Sequence, residues 1–109
     1  MYQDLEITPT EVAERRAAGL PVILLDVREP WEHEYNRIEG SELLPLSELE
    51  FRHAERLDPA AFIVCYCHTG MRSFNAAMWL KQQGYAEVKS LAGGINRWAD
   101  EQDPDMPRY

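Results

Sequence analysis

The most informative part of this chain of 109 residues is Ile63-Val64-Cys65-Tyr66-Cys67-His68-Thr69-Gly70-Met71-Arg72-Ser73. A short apolar run, typical of a buried strand, delivers Cys67 to the end of that strand. Four residues follow, one of them glycine, before Arg72 opens a segment with helical periodicity. A strand–loop–helix junction points successive backbone N–H groups and the positive end of a helix dipole at one spot. We therefore expect Cys67 to be an activated nucleophilic thiol.

The loop after Cys67 has the composition of an anion site. Gly70 permits a positive φ, which turns the loop amides inward. Arg72 can bind an anion through charge-assisted hydrogen bonds, and a cation at a helix N-terminus is otherwise mildly unfavourable. His68 is a proton donor, a substrate contact or an exposed loop residue, and Thr69 supports the loop or caps the following helix. The residues predicted to contact substrate are His68, Thr69, Gly70, Met71 and Arg72.

Cys65 differs from Cys67 because it lies inside the predicted strand. We expect it to be a small buried apolar side chain, and the alternative is a resolving thiol for Cys67. Residues two apart on a strand face the same way but diverge, so a disulfide between these two would be strained. Two unpaired cysteines favour a reducing compartment. Neither a metal ion nor an organic cofactor is expected, since His33 and His53 do not supply a matching ligand spacing.

Helical and strand patterns alternate along the chain. They predict an α/β fold with a small doubly wound, mainly parallel sheet of five strands flanked by helices. The strands that the pattern places are 22–25, 42–44, 62–66 and 87–91. In such sheets ligands bind beyond the carboxyl ends of the strands, where Cys67 lies. Residues 1–101 are predicted to form one domain, and residues 102–109, which contain two prolines, an extension along its surface.

Two sequence signals for helix starts occur early in the chain. Capping boxes are predicted at Thr8-Pro9-Thr10-Glu11 and at Ser47-Glu48-Leu49-Glu50. Leu46 and Phe51 are expected to pack around the second box as a hydrophobic staple. A short helix is predicted over 30–35, because proline is well suited to a first helical position.

The net charge of −8 and the sequence pI of about 4.8 limit the classes of partner. A nucleic-acid binder usually presents a basic surface, so DNA and RNA are not expected as partners. Any anion site must be local, built from Arg72, backbone N–H groups and His68. No segment approaches the ~20 apolar residues of a membrane helix, and the first residues lack the pattern of a signal peptide. We therefore expect a cytoplasmic protein that binds neither nucleic acid nor membrane.

Three motifs in sequence order give the chain a family resemblance. The stretch Cys67-His68-Thr69-Gly70-Met71-Arg72 resembles the six-residue active-site loop of the rhodanese-like sulfurtransferases. Leu24-Leu25-Asp26-Val27-Arg28-Glu29-Pro30 resembles the first motif of that family, and Leu91-Ala92-Gly93-Gly94-Ile95-Asn96-Arg97-Trp98 resembles its last. The resemblance runs from about residue 8 to residue 98. It departs at Asn36-Arg37-Ile38-Glu39-Gly40, where the family often has Gly-His-Ile, so no role is predicted for Arg37.

The resemblance implies a sulfurtransferase in which Cys67 carries a persulfide. Such a protein takes sulfane sulfur from a small donor such as thiosulfate and passes it to a thiol or another nucleophile, and a protein can be the donor or the acceptor. Arg72 would contact the persulfide or the sulfonate oxygens of the donor. The resemblance also implies that Asp26 and Arg28 form a structural ion pair that anchors neighbouring loops; the alternative is a catalytic acid or base.

Two other functions are compatible with the sequence. Cysteine-dependent phosphatases and arsenate reductases related to this fold also use a cysteine loop that ends in arginine, but with five intervening residues and commonly with histidine before the cysteine. Here four residues intervene and Tyr66 precedes Cys67, so the loop suits a lone sulfur better than a phosphoryl group with three equatorial oxygens. A non-enzymatic interaction module or sulfur relay is the second alternative, because a fold alone does not establish an activity.

Overall fold

The computed structural model describes residues 3–109, in which strands and helices alternate. The strands are β1 (Glu6–Ile7), β2 (Ile23–Asp26), β3 (Glu42–Leu43), β4 (Phe62–Tyr66) and β5 (Glu87–Leu91). The helices are α1 (Pro9–Ala17), α2 (Pro30–Tyr35), α3 (Leu46–Arg56), α4 (Met71–Gln82) and α5 (Gly94–Gln102), and a short 3-10 helix (Gln3–Leu5) precedes β1. Across these described residues, no helix is both long and apolar enough to cross a membrane.

Strand β4 lies at the centre of the sheet, whose strand order is β1-β5-β4-β2-β3. Each neighbouring pair is parallel, so the predicted five-stranded, mainly parallel sheet is confirmed. Asp26 at the end of β2 lies beside Tyr66 at the end of β4, and Cys67 follows directly. Because parallel strands end at the same edge, Asp26, Cys67 and the turn after β5 meet where doubly wound sheets bind ligands.

Both faces of the sheet are covered by helices. Cys65 packs with side chains of α3 and α4 in one apolar cluster, and Val64 and Tyr66 pack with side chains of α1 and α5 in the other. The four residues from Ile63 to Tyr66 are fully buried, as a continuous apolar run predicts for a strand covered on both sides. Strand β4 is therefore fixed by packing on both faces, and it places Cys67 at the edge of the sheet where the strands end.

Helices α1 and α3 begin in different ways. The predicted capping box of α1 is confirmed, since the Glu11 amide donates to Thr8 Oγ1 at 3.2 Å and the Thr8 amide donates to Glu11 Oε1 at 2.9 Å. The second box is wrong, because α3 begins at Leu46 with Pro45 as its N-cap, which leaves Ser47 inside the helix. The proline ring fixes φ at a value suited to a helix start. Phe51 is 80% exposed, so the predicted staple is also wrong.

Candidate active site

The sulfur of Cys67 lies where two backbone amides converge. Cys67 Sγ accepts hydrogen bonds from the N–H groups of Gly70 at 3.2 Å and of Ser73 at 3.3 Å. Gly70 has φ +118° and is the N-cap of α4, which turns its amide toward the sulfur, as predicted. Amides fixed in this way stabilise negative charge at the point to which they are directed. The loop is therefore built to hold an anionic sulfur.

Ser73 supports this loop, although none of the sequence motifs singles it out. The Cys67 thiol donates to Ser73 Oγ at 3.4 Å, and Ser73 Oγ lies 2.8 Å from Ser90 Oγ on β5. Both serines are fully buried. A serine in the first turn of a helix behind a reactive cysteine was a usable signal, because the amides of the first turn have no partner inside the helix. Ser73 links the sulfur to the neighbouring strand.

The backbone of the Cys67 loop rests on the first turn of α5. The Ile95 amide donates to the Cys67 carbonyl oxygen at 2.9 Å, and the Asn96 amide donates to the His68 carbonyl oxygen at 3.2 Å. Gly94 has φ +63°, and a Cβ there would lie 2.4 Å from the His68 carbonyl oxygen. Only glycine permits this approach, so the Gly93-Gly94 motif is a packing device, as predicted.

Arg72 is held by Glu32 on α2, a residue that no sequence motif singles out. Arg72 Nη1 and Nη2 donate to Glu32 Oε1 at 2.7 Å and to Oε2 at 2.9 Å, respectively. The Glu32 side chain is only 4% exposed, whereas that of Arg72 is 38% exposed. Burial raises the pKa of Glu32, but hydrogen bonds from Arg72, Tyr109 and the Glu29 amide outweigh it and lower the pKa to about 2. Glu32 is therefore a carboxylate at neutral pH.

The predicted ion pair between Asp26 and Arg28 is present and fully buried. Arg28 Nε and Nη2 donate to the two carboxylate oxygens of Asp26 at 2.8 and 2.7 Å. The same guanidinium donates to the side-chain and backbone oxygens of Asn36, at the end of α2. His33 Nδ1 lies 2.8 Å from Asp26 Oδ2. Burial lowers the pKa of Arg28, but its hydrogen bonds to Asp26 and the charge of Asp26 raise it overall. The cluster fastens α2 to β2.

Tyr109 reaches the site from the segment predicted to be a surface extension. Its hydroxyl donates to Glu32 Oε2 and accepts a hydrogen bond from Arg28 Nη1 at 3.0 Å. Its ring stacks on the His68 imidazole, with centroids 4.2 Å apart and an angle of 17° between the planes. The side-chain amide of Asn36 holds this segment, since its Nδ2 donates to the Pro107 carbonyl oxygen at 2.8 Å. The whole division into residues 1–101 and an extension stays a prediction.

The other predicted site residues differ in burial. Cys65 is fully buried, and burial, together with the neighbouring Cys67, raises the pKa of its thiol to about 12. Thr69 and Met71 are exposed, and Gly70, not Thr69, caps α4. Substrate contacts of Thr69 and Met71 stay predictions. Within residues 3–109, no group of three or more His, Cys, Asp or Glu side chains is placed to hold a metal ion.

Comparison with known proteins extends the resemblance to whole sequences. A family model described as "Rhodanese-like domain" matches residues 8–101. The probable adenylyltransferase/sulfurtransferase MoeZ of Mycobacterium tuberculosis is 36% identical over 104 residues, which cover 94% of this chain and 26% of MoeZ. This chain thus spans about a quarter of the length of that relative. A protein named sulfurtransferase from Allochromatium vinosum is 36% identical over 94 residues, covering 86% of this chain and 87% of the relative.

A solved structure agrees with the sequence comparison. The crystal structure of a rhodanese-related protein from Thermoplasma volcanium matches with a TM-score of 0.79 and 31% sequence identity, over 89% of this chain and 92% of the other. The residues that the family model matches include the Cys67 loop, the Asp26–Arg28 pair and the Gly93-Gly94 turn, and they end before Tyr109. The chain therefore belongs to the rhodanese-like domain family, and its relatives include sulfurtransferases.

Proposed function

We propose that this protein is a rhodanese-type sulfurtransferase that carries sulfane sulfur as a persulfide on Cys67. The observation that carries the proposal is the convergence of the Gly70 and Ser73 amides on Cys67 Sγ. Fixed N–H donors at the end of a helix stabilise negative charge on Sγ, so they favour the thiolate that attacks the donor and that leaves again when an acceptor takes the sulfur. Both cysteines are buried, but Cys65 lies inside β4, and burial raises the pKa of its thiol to about 12, so it is not a candidate for this role.

Sulfur transfer at Cys67 proceeds in two displacements. The Cys67 thiolate attacks the outer sulfur of thiosulfate, a Sγ–S bond forms, and the S–S bond of the donor breaks as its electron pair leaves with sulfite. A thiolate acceptor then attacks the terminal sulfur of the persulfide. The Sγ–S bond breaks, its electron pair returns to Cys67, and the acceptor departs as a persulfide. No external oxidant or reductant is needed.

Arg72 supports the first displacement by binding the sulfonate oxygens of the donor. A guanidinium carries five N–H donors, and Glu32 occupies two of those of Arg72. The remaining donors have no partner among residues 3–109 and can meet an anion while the ion pair stays formed. Because the net charge of the chain is −8, an anionic donor has to be bound by local hydrogen-bond donors, and Arg72 supplies some of them. The Asp26–Arg28 pair supports the site indirectly by fastening α2, which carries Glu32.

A protein sulfur donor or acceptor is a second candidate partner. MoeZ, which is named adenylyltransferase/sulfurtransferase, has a much longer chain than the matched part. Trp31, Tyr35 and Met71 are exposed large apolar side chains, and the first two contact Tyr109 beside the Cys67 loop. Exposed aromatic side chains of this kind are typical of protein interaction surfaces. Both cysteines are free, which favours a reducing compartment, and we propose a cytoplasmic location.

The proposal is tested by transfer of sulfur from thiosulfate to cyanide, measured as thiocyanate. We expect activity in the wild type and in Cys65→Ser, and loss of activity in a folded Cys67→Ser variant. Hydrolysis of aryl phosphates is measured beside it, and we expect none. Cys67-dependent phosphatase activity without sulfur transfer would replace the proposal with the phosphatase alternative.

A further inference from the structure

The Tyr109 hydroxyl connects two charged side chains of the site. It donates to Glu32 Oε2 and accepts from Arg28 Nη1. Burial and the hydrogen bond to Glu32 raise the pKa of Tyr109, so the phenol keeps the proton that it donates. Arg28 is itself fixed by Asp26, whose side chain is fully buried. Tyr109 is therefore held in place by Arg28 and in turn holds the carboxylate of Glu32 in place.

Glu32 in turn fixes the guanidinium of Arg72. Glu32 Oε1 accepts from Arg72 Nη1 and from the Glu29 amide, and Glu32 Oε2 accepts from Arg72 Nη2 and from Tyr109. Each oxygen thus has two donors, which sets the plane of the carboxylate. A bidentate pair keeps the guanidinium in the plane of the carboxylate. The direction of the free N–H groups of Arg72 therefore depends on Tyr109.

Arg72 follows two residues after Gly70, the N-cap whose amide donates to Cys67 Sγ, so it belongs to the first turn of the helix behind the reactive sulfur. The pKa of Arg72 is raised mainly by its hydrogen bonds to Glu32, with smaller contributions from the charges of Glu32, Cys67 and Tyr109. The ring of Tyr109 also lies flat on His68, the residue after Cys67. The Nε2 atom of His68 is buried and has no hydrogen-bond partner in the part of the chain that the structure describes. Tyr109 thus borders the Cys67 loop and, through Glu32, also aligns Arg72.

We propose that Tyr109 is a positioning residue that acts through Glu32 on Arg72 and makes the site select anionic reagents over neutral ones. The inference rests on the proposed function and deepens it, because it assigns donor preference to a residue outside the part that the family model matches. A side chain held in one orientation binds an anion without first losing conformational freedom. Removal of the Tyr109 hydroxyl should therefore weaken reaction with anions and leave reaction with neutral reagents unchanged.

The test compares the rates at which Cys67 is alkylated by iodoacetate, an anion, and by neutral iodoacetamide. The ratio of the two rates isolates the effect of charge, because a change in access to Cys67 alters both rates together. We expect Tyr109→Phe to lower the ratio about three- to tenfold, the loss associated with one hydrogen bond. Tyr85→Phe is the matched control. It removes a hydroxyl that hydrogen-bonds to His53 on α3 and touches none of the Glu32 contacts, so its ratio should equal that of the wild type.

The same measurement in an Arg72→Ala background shows whether Tyr109 acts through Arg72. There, Tyr109→Phe should lower the ratio no further, because the cation it positions is gone. A wild-type or higher ratio in Tyr109→Phe, or an equal decrease with and without Arg72, would overturn the inference. Sulfur uptake from thiosulfate is followed in the same proteins. No uptake by the wild type with an intact alkylation effect contradicts the proposed function alone, and normal uptake without that effect contradicts the inference alone.

Discussion

Arg72 binds Glu32 through both terminal nitrogens, at 2.7 and 2.9 Å, so the cation of the cysteine loop is already paired. The two residues are 40 positions apart in sequence and come together because β2 and β4 are neighbours that end at the same edge of the sheet. A paired guanidinium exerts a weaker long-range field than a free one, since the opposite charge lies beside it. Anion binding at this site therefore depends on directed hydrogen bonds more than on net charge.

Glu32 should make the stability of the protein dependent on pH in the acid range. Its pKa is lowered from 4.5 to about 2 in the folded state, so its contribution is complete above pH 4.5 and is lost as the pH falls through 2. The corresponding contribution is at most about 3 kcal/mol. We expect Glu32→Gln to flatten the dependence of the unfolding free energy on pH between 4.5 and 2, measured by urea denaturation.

The control for this prediction is Glu34→Gln, which removes an exposed carboxylate of the same helix. Its pH dependence over that window should follow the wild type. If Glu32→Gln and Glu34→Gln give the same curve as the wild type, the Arg72–Glu32 pair is not formed in solution as described.

Arg72 should matter most for reaction with anionic donors. Arg72→Ala removes charge-assisted hydrogen bonds to the donor, and we expect kcat/KM for thiosulfate to fall about ten- to a hundredfold. The kcat/KM of Arg72→Lys should lie between those of Arg72→Ala and the wild type, because lysine keeps the charge but loses the planar guanidinium. Both losses should shrink as ionic strength rises, in kinetics measured from low to high salt.

Arg52→Ala is the matched control for Arg72→Ala. Arg52 pairs with Glu48 and Glu55 on the exposed side of α3, so removing its charge changes the net charge equally without changing the site. Its kcat/KM should match the wild type. Wild-type kinetics in Arg72→Ala would show that the loop amides hold the donor without the arginine.

Gly94→Ala should damage both stability and the Cys67 loop. The added Cβ would lie 2.4 Å from the His68 carbonyl oxygen and 2.7 Å from the Cys67 carbonyl oxygen, so backbone must move. Gly19→Ala is the control, because Gly19 also has a positive φ, +72°, but nothing lies within 4 Å of the added Cβ. The unfolding free energy of the control should fall by only ~1–2 kcal/mol, which is the cost of placing an alanine in the left-handed conformation.

The stability of the two glycine variants is compared by thermal or urea denaturation, and their activity by thiosulfate kinetics. Gly94→Ala should lose clearly more stability than Gly19→Ala, and the folded fraction should transfer sulfur more slowly. Equal losses in the two variants, with normal activity, would contradict the contact between α5 and the Cys67 loop.

The sequence predicts the parts of this site that are local in the chain. The apolar run of β4, the glycine of the loop and Arg72 at the helix start lie within a few residues of Cys67, so periodicity and turn chemistry are enough to place them. The packing role of Gly94 is predicted from the motif that runs from Leu91 to Trp98. The capping box at Ser47 failed because Pro45 offered a helix start two residues earlier than that box requires.

Glu32 and Tyr109 could not be placed from local patterns. Tyr109 reaches Glu32 across 77 positions of sequence, and no periodicity reports such a contact. The burial of Glu32 is explained only by its partners, since a carboxylate is rarely buried without a cation or several donors. Long-range polar pairing thus completes a site whose nucleophile the local sequence already identifies.

The most direct measurement is the intact mass of the protein after incubation with thiosulfate and removal of excess donor. A persulfide on Cys67 predicts a single addition of about 32 Da in the wild type and in Cys65→Ser, removed by cyanide or dithiothreitol, and no addition in Cys67→Ser. A wild-type protein that stays unmodified with thiosulfate, 3-mercaptopyruvate and persulfide donors alike would contradict the assignment of Cys67 as a sulfur carrier.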